Sequence, residues 1–143
     1  MYNYARKPVN YLAGPYTHKD KAIMDEREVL HSKAANALKQ AGLIVYAPIP
    51  ETTALAKLGG MVETNWAFWR DHDLNMLDRC DKLLVLMIPG WKESVGVRGE
   101  VKFALTKGMP VEFLAADLSY TLVNAPSGTL AMFDVEHVEE LND

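Results

Sequence analysis

Short apolar runs alternate along this chain with longer stretches in which apolar residues recur every three to four positions. The short runs predict buried β-strands and the longer stretches predict amphipathic helices, an order typical of strand–helix units around a parallel sheet. We predict strands at 9–13, 43–47, 82–88 and 109–114, and helices at 22–41, 65–80 and 94–108. Residues 48–64 contain two prolines and the pair Gly59-Gly60, and they predict a long loop that covers a site.

The apolar run "KLLVLMI" at 82–88 has no polar alternation, which predicts a central strand covered on both faces. If the second strand lies beside the first and the third strand lies on its other side, the strand order reverses between the first and third strands. Ligands of open parallel sheets bind beyond the carboxyl ends of the strands at such a reversal. The loops expected there are 14–17, which reads Gly-Pro-Tyr-Thr, and 89–94.

The size of the chain fits one domain that spans residues 1–143. After the fourth strand the pattern weakens, and we expect only a turn at 124–128, a short strand at 129–133 and a polar helical turn at the end.

Composition narrows the classes of partner. Apolar residues make up 49% and the formal net charge is −4, without a Lys/Arg run, which argues for a packed core and against duplex nucleic acid as a partner. A single cysteine, Cys80, excludes an intrachain disulfide, and neither a secretion segment nor a membrane span is apparent. We therefore expect a cytoplasmic protein that does not bind membranes.

The segment "ESVGVRGE" leads into the third predicted helix. Free N–H groups at a helix start favour a phosphate or another anion, and Gly96 would permit its close approach. Ser94 would either bind that anion or only cap the helix. Neither G-x-x-x-x-G-K-[ST] nor G-x-G-x-x-G is present, which removes the two nucleotide-binding classes that those motifs identify.

Two carboxylates are candidates for chemistry. Asp73 interrupts an apolar helical stripe that includes Trp66 and Trp69, and a carboxylate in such a place pairs with a cation, caps a neighbour or reacts. Glu100 lies about one and a half turns after Ser94 and can reach the same crevice. The two tryptophans of the stripe are expected in the core.

Trp91, in the loop before the third predicted helix, is the better candidate for ligand contact. His18 and His72 lie apart from cysteines and other histidines, so we expect no metal site.

The chain resembles the nucleoside 2-deoxyribosyltransferase superfamily, including its nucleotide N-hydrolase branch and its uncharacterised phage and bacterial relatives. The resemblance covers about residues 9–111 and rests on "VNYLAGPYT" and on the long segment that begins "FWRDHD" and ends "TKGMPV". Its most specific part is the following ordered set: Asp73, Asp81, Gly90-Trp91, Ser94, Gly96, Glu100, Ala104 and Gly108.

The resemblance implies a flavodoxin-like (Rossmann-like) three-layer α/β sandwich around a parallel sheet of about five strands. It implies that Glu100 is the nucleophile and that Asp73 binds the sugar and assists the leaving base. Tyr16, or alternatively Tyr11, would orient the glutamate. Gly14 and Pro15 would contact base and sugar, beside Trp91, Ser94 and Gly96 as substrate-binding residues.

Serine at position 94 implies the hydrolase branch and a 2′-deoxynucleoside 5′-monophosphate, because a carboxylate there would repel the phosphate. Arg98 would either add a cation near the phosphate or pair with a surface acid. The family takes one polar residue from a neighbouring subunit, for which Ser127 is our candidate, so a homodimer or larger homo-oligomer is implied. No cofactor is expected. Hydrolysis is favoured over transfer of the deoxyribosyl group to another base.

Two alternatives remain at this stage. A ribonucleotide phosphoribohydrolase would carry a P-G-G-x-G-T segment before its glutamate, which "PGWKESVGVRGE" lacks. A non-catalytic nucleotide-binding or sensing module would have little reason to keep both Asp73 and Glu100.

Overall fold

The computed structural model describes residues 2–60, 66–115 and 122–123. The four strands and three helices that the hydrophobic pattern predicts are present, and one further helix follows the second strand. The strands are β1 (Val9–Ala13), β2 (Ile44–Tyr46), β3 (Lys82–Met87), β4 (Val111–Ala115) and β5 (Leu122–Val123), and the helices are α1 (Lys21–Gln40), α2 (Pro48–Gly59), α3 (Trp66–Asp78) and α4 (Val95–Lys107). The turn, strand and helical turn expected at 124–143 lie outside the described residues.

The strands form one sheet in the order β2-β1-β3-β4-β5. β1 to β4 are parallel, and the two-residue β5 pairs antiparallel with β4. The expected parallel sheet of about five strands is therefore a parallel sheet of four in the described residues. The predicted neighbours of β1 are confirmed, so the order reverses between β1 and β3.

Helices cover both faces of the sheet, and alternate strand residues enter two separate cores. On one face Tyr11, Leu83 and Val85 pack with buried residues of α3 and α4. On the other face Leu12 and Leu84 pack with buried residues of α1. Because Leu83 to Leu86 are all fully buried, the unbroken apolar run of β3 has the cause that the sequence indicates.

The predicted loop at 48–64 is wrong over most of its length, because 48–59 form α2. Pro48 stands at the first helical position, where proline has no N–H to lose and its fixed φ suits the helix. The Glu51 side chain accepts a hydrogen bond from the Ala47 N–H at 3.0 Å, and Gly60 ends the helix at φ 78°. The prolines thus mark a helix start.

Asp81 anchors the beginning of β1. Its carboxylate accepts a hydrogen bond from the Val9 N–H at 2.7 Å, and its own N–H donates to the Val9 carbonyl at 2.8 Å. This member of the ordered set therefore supports the sheet from the end opposite to the crevice.

No helix in the described part of the chain combines the length and apolar character needed to cross a membrane.

Candidate functional site

A cavity of about 750 Å³ lies at the carboxyl ends of the parallel strands, where the strand order reverses. Its walls come from the end of β1 and the loop after it, from α1, α2 and α3, and from the start of α4. Six residues that the resemblance assigns to the site line it: Gly14, Tyr16, Asp73, Ser94, Gly96 and Glu100.

Glu100 is a buried carboxylate in the cavity wall, only 5% exposed. It stands on the face of α4 that carries Val97, Val101 and Ala104 into the core, so packing of that face removes it from water. The pKa of Glu100 is raised to about 8, chiefly by burial; a hydrogen bond from Tyr11 opposes the shift and the nearby charge of Asp73 adds to it. The folded protein therefore holds this carboxyl largely protonated at neutral pH.

Asp73 is the second buried carboxylate of the cavity, 8% exposed. Burial raises its pKa, and the His72 imidazole opposes that rise through a contact of 3.1 Å between Nδ1 and the carboxylate. The sequence placed His72 only on the polar face of this helix. Its position next to a carboxylate that interrupts an apolar stripe is the signal that would have identified it as a partner.

The tyrosine beside Glu100 is Tyr11. Its ring is fully buried on the sheet face that α3 and α4 cover, and its pKa is raised well above the usual value, first by burial and then by the charges of Glu100 and Asp73. Its hydroxyl makes no hydrogen bond of ordinary geometry with the described residues, so its interaction with Glu100 is long or poorly aligned. Tyr46 is its register partner on β2, with ring centroids 5.6 Å apart.

Tyr16, the tyrosine preferred from the sequence, lies elsewhere in the cavity wall. Its pKa is raised first by burial and then by Glu28, and the other charges acting on it belong to Lys57, Asp25 and Lys21. These groups belong to α1 and α2. The alternation of side chains along a strand explains the difference. Tyr11 lies on the same face of the sheet as Leu83 and Val85, the face that α4 covers, whereas Tyr16 lies beyond the end of β1.

The start of α4 is arranged as an open set of donors. The Ser94 hydroxyl accepts a hydrogen bond from the Val97 N–H at 3.2 Å, and the Ser94 carbonyl accepts the first helical bond from Arg98 at 3.0 Å. The N–H groups of Val95 and Gly96 lie before these two donors in the chain and have no acceptor within the helix, as is usual for the first residues of a helix. Ser94 is therefore an N-cap, and the N–H groups of Val95 and Gly96 lie at the cavity.

Glycine at the start of α4 serves aromatic packing as well as the cavity. A Cβ at Gly99 would stand 2.7 Å from the Trp66 ring, so any side chain there would displace the indole. At Gly96 the corresponding distance is 3.4 Å, an ordinary contact. Gly96 therefore lies against Trp66 as well as the cavity, and it leaves room for a Cβ. Packing against Trp66 requires glycine at Gly99 instead.

The structure places the three tryptophans differently from the sequence prediction. Trp66 and Trp69, expected in the core, are partly exposed and line the cavity. Trp91, expected to contact ligand, packs on Phe113 with ring centroids 5.5 Å apart and is absent from the described cavity wall. A stripe at helical spacing reports a face of α3, and only the neighbouring elements decide whether that face meets a core or a cavity.

The loop after β1 lies on a buried histidine. A Cβ at Gly14 would overlap the His31 ring, and Pro15 is buried behind the cavity wall. The contact predicted for Pro15 with substrate is therefore not made by this wall. Burial lowers the pKa of His31 to about 4, although the Pro15 backbone favours the charged form.

Arg27 joins the two loops at the strand-order reversal, a role that the sequence did not indicate. From α1, its guanidinium donates to the carbonyls of Tyr16 and Thr17 at 3.2 and 3.1 Å and to that of Pro89 at 3.4 Å. A Cβ at Gly90 would overlap the guanidinium, and Gly90 has a φ of 95°. Arg27 therefore fixes the distance between the loops that border the cavity.

Arg98 also acts within a loop. Its Nε donates to the Lys92 carbonyl, which ties the loop before α4 to the first turn of that helix. Ser127, the residue expected from a neighbouring subunit, lies outside the described residues. Within the described ranges, no group of three or more His, Cys, Asp or Glu side chains is arranged to hold a metal ion.

Comparison with known proteins identifies one family. Residues 8–116 match the family model described as "Domain of unknown function (DUF1937)". These residues include the strands β1 to β4, the four helices and every described residue that lines the cavity. The curated proteins contain no match to this chain.

Proposed function

The chain belongs to the DUF1937 family, and we propose that it cleaves the N-glycosidic bond of 2′-deoxynucleoside 5′-monophosphates. One observation carries the proposal: two buried carboxylates, Asp73 and Glu100, share a cavity of about 750 Å³ with the open donors at the start of α4. That volume lies in the range of pockets that enclose small organic ligands. The proposal includes a flavodoxin-like fold, whose strand order begins 2-1-3-4 as it does here.

Glu100 is the nucleophile of the proposed reaction. A carboxylate oxygen of Glu100 attacks C1′ of the deoxyribose, the bond from C1′ to the base nitrogen breaks, and its electron pair leaves with the base. Water then attacks C1′ of the glycosyl-enzyme, the ester bond to Glu100 breaks, and deoxyribose 5-phosphate is released. Burial favours this role because a poorly solvated carboxylate gains from the positive charge that develops at C1′.

Asp73 manages the proton. Burial raises its pKa, which suits a group that delivers a proton to the departing base and receives one from the attacking water. The contact with His72 limits that rise and connects the carboxyl to a half-exposed imidazole. Tyr11, behind Glu100, restrains the orientation of the nucleophile.

The phosphate belongs at the start of α4. The N–H groups of Val95 and Gly96, the helix dipole and the Ser94 hydroxyl attract an anion there. Glu100 follows Ser94 by six positions, a helical rise of about 9 Å, which leaves space for a sugar between the phosphate and the nucleophile. We favour hydrolysis over transfer of the deoxyribosyl group to another base. The proposed enzyme is a cytoplasmic homo-oligomer that uses no cofactor.

The test is base release from a panel of deoxynucleosides, deoxynucleoside 5′-monophosphates and ribonucleotides, with and without a free acceptor base. We expect release from the deoxynucleoside monophosphates and a loss of at least about 10³-fold in Glu100→Gln. Exchange confined to free nucleosides would instead indicate a transferase. Binding without turnover would indicate a nucleotide sensor, and turnover of ribonucleotides alone a ribohydrolase.

The pH profile distinguishes the role of Glu100. Because a nucleophile must be ionised, the residual kcat/KM of Asp73→Asn, which lacks the carboxyl that protonates the base, should rise with pH up to about 8 and then level off. A profile that falls through this range would mean that Glu100 acts as an acid, and would contradict the assignment.

A further inference from the structure

Two helix starts border the cavity, and they differ in the hydrogen bonds that they offer. The start of α4 presents the N–H groups of Val95 and Gly96. The start of α2 contains Pro48 and Pro50, which have no N–H, and the preceding N–H of Ala47 already donates to Glu51. Among the first three residues of α2, only Ile49 therefore offers the cavity a backbone donor.

The hydroxyls on α2 have already used their protons. Thr52 Oγ1 donates to the Pro48 carbonyl at 2.6 Å, and Thr53 Oγ1 donates to the Ile49 carbonyl at 2.8 Å. Both threonines line the cavity. A hydroxyl has one proton and two lone pairs, so these oxygens can still accept a hydrogen bond but donate only by breaking the one they make.

The other polar side chains at this end include the Tyr16 hydroxyl, which can donate or accept, one carboxylate and two lysines. Asp25 of α1 lines the cavity and only accepts. Lys21 and Lys57 also reach it, but Lys21 is bound to Asp25 at 3.0 Å and Lys57 to Glu28 at 2.8 Å, with side chains 79% and 59% exposed. Their charges are matched by carboxylates and lie at the solvent edge.

We infer that the α2 end of the cavity binds the nucleobase and selects bases with an exocyclic amino group, cytosine and adenine, over the oxo-bases uracil and hypoxanthine. The inference rests on the proposed function and adds its substrate class. With the phosphate at the start of α4 and Glu100 between, α1 and α2 form the wall left for the base. An exocyclic amino group has two hydrogens and can donate to both threonine oxygens, whereas uracil and hypoxanthine place an acceptor oxygen at that position and offer a single ring N–H beside it.

The experiment compares pairs of equal size, dCMP with dUMP and dAMP with dIMP, so that ring size cancels within each pair. We expect kcat/KM to favour the amino member by about three- to tenfold, the effect of one neutral hydrogen bond. Thr53→Val and Thr52→Val, which keep the shape and remove the acceptor, should bring at least one pair close to equality. Thr53→Ser and Thr52→Ser should retain the preference.

Thr106→Val is the matched control. Thr106 makes the same bond to the carbonyl four residues earlier, on α4 and outside this cavity, at 2.6 Å. The control should keep the amino preference, and circular dichroism should show all variants folded. Should both valine variants of α2 fail to fold, Thr52→Ala and Thr53→Ala are measured in their place, with the same expectation.

The outcomes separate the inference from the function. Equal turnover within both pairs, or a preference for the oxo-bases, would overturn the amino selection and leave glycosidic cleavage standing. A preference that survives removal of both hydroxyls would overturn the role of α2. If no nucleotide is turned over, the proposed function fails, and the inference fails with it.

Discussion

At the scale of single residues, the site is defined by carboxylates that the fold keeps from water. Glu100 and Asp73 are 5% and 8% exposed, and burial raises the pKa of both. Their candidacy was visible in the sequence because an acid in or beside an apolar stripe needs a reason. The sequence analysis left Tyr11 as the alternative to Tyr16 and did not indicate the partner His72, since both pairings depend on which faces of β1 and α3 meet α4.

Glu100→Gln should stabilise the protein in alkali. The pKa of Glu100 rises from 4.5 in the unfolded chain to about 8 in the folded protein, so folding is disfavoured progressively as pH rises from 4.5 to 8. The glutamine amide does not ionise, so Glu100→Gln avoids this loss. Its gain in the free energy of unfolding over the parent should be small at pH 4 and reach a few kcal/mol, on the order of 1.4 kcal/mol per pKa unit, by pH 9.

Urea unfolding of Glu100→Gln at pH 5, 7 and 9 measures this gain. Glu26→Gln, at an exposed position of α1, is the control and should differ little from the parent at each pH. A gain that does not grow with pH would contradict a buried, protonated Glu100.

Ser94→Asp should move the substrate preference away from monophosphates. A carboxylate at the N-cap still accepts the Val97 N–H but repels a phosphate at the same helix start. We expect kcat/KM for the best monophosphate to fall about 10- to 100-fold, with a smaller change for the matching deoxynucleoside. Ser94→Asn, a neutral cap, is the control, and an equal loss on both substrates would place the phosphate elsewhere.

At the scale of elements, the cavity depends on how neighbouring segments are joined. α2 forms a wall of the cavity where the sequence analysis predicted a loop. That prediction was wrong because prolines in the first turn of a helix look like loop signals when each residue is read by itself. Arg27 joins the loops after β1 and β3 through three carbonyl oxygens, and carbonyl acceptors leave no trace in side-chain patterns. Gly99 shows the same limit, since only the position of Trp66 explains it.

Arg27→Lys should loosen the cavity while keeping the charge. An ammonium cannot reproduce the fork of the guanidinium, so at least one of the two loops loses its anchor. We expect a loss of about 1 to 3 kcal/mol in the free energy of unfolding and a fall of about tenfold in kcat/KM.

Urea unfolding and steady-state kinetics measure the two effects of Arg27→Lys. Arg79→Lys is the matched control, because Arg79 donates to the Asn75 carbonyl within its own helical segment, at 2.9 Å. Equal behaviour of the two variants would mean that Arg27 does not hold the loops.

At the scale of the whole molecule, the order of the strands decides where chemistry can occur. β1 and β3 are neighbours with crossovers that leave in opposite directions, so their carboxyl ends open a crevice whatever the side chains are. The sequence analysis reached this conclusion from an assumed strand order, which the sheet confirms. α2 leaves Leu55 and Leu58 67% and 91% exposed, a pair of large apolar side chains unusual for an isolated helix face.

We expect the protein to associate in solution. Sedimentation equilibrium should give at least twice the 16.0 kDa of one chain, and Leu58→Lys should weaken the assembly if α2 contributes to the contact. Lys33→Ala on the exposed surface of α1 is the control. A monomer of full activity would contradict both the association and a residue supplied by a second subunit.

The sequence by itself determined the features that depend on local chemistry: the four parallel strands, the helices α1, α3 and α4, and the buried course of β3. It also located the crevice on the assumption that β2 and β3 flank β1, an order that the sheet confirms. The tertiary structure alone decided that Tyr11 contacts Glu100, that Trp66 lines the cavity and that Arg27 joins the loops. These contacts unite residues distant in the chain, and a local pattern shows which face a side chain occupies but not what lies opposite.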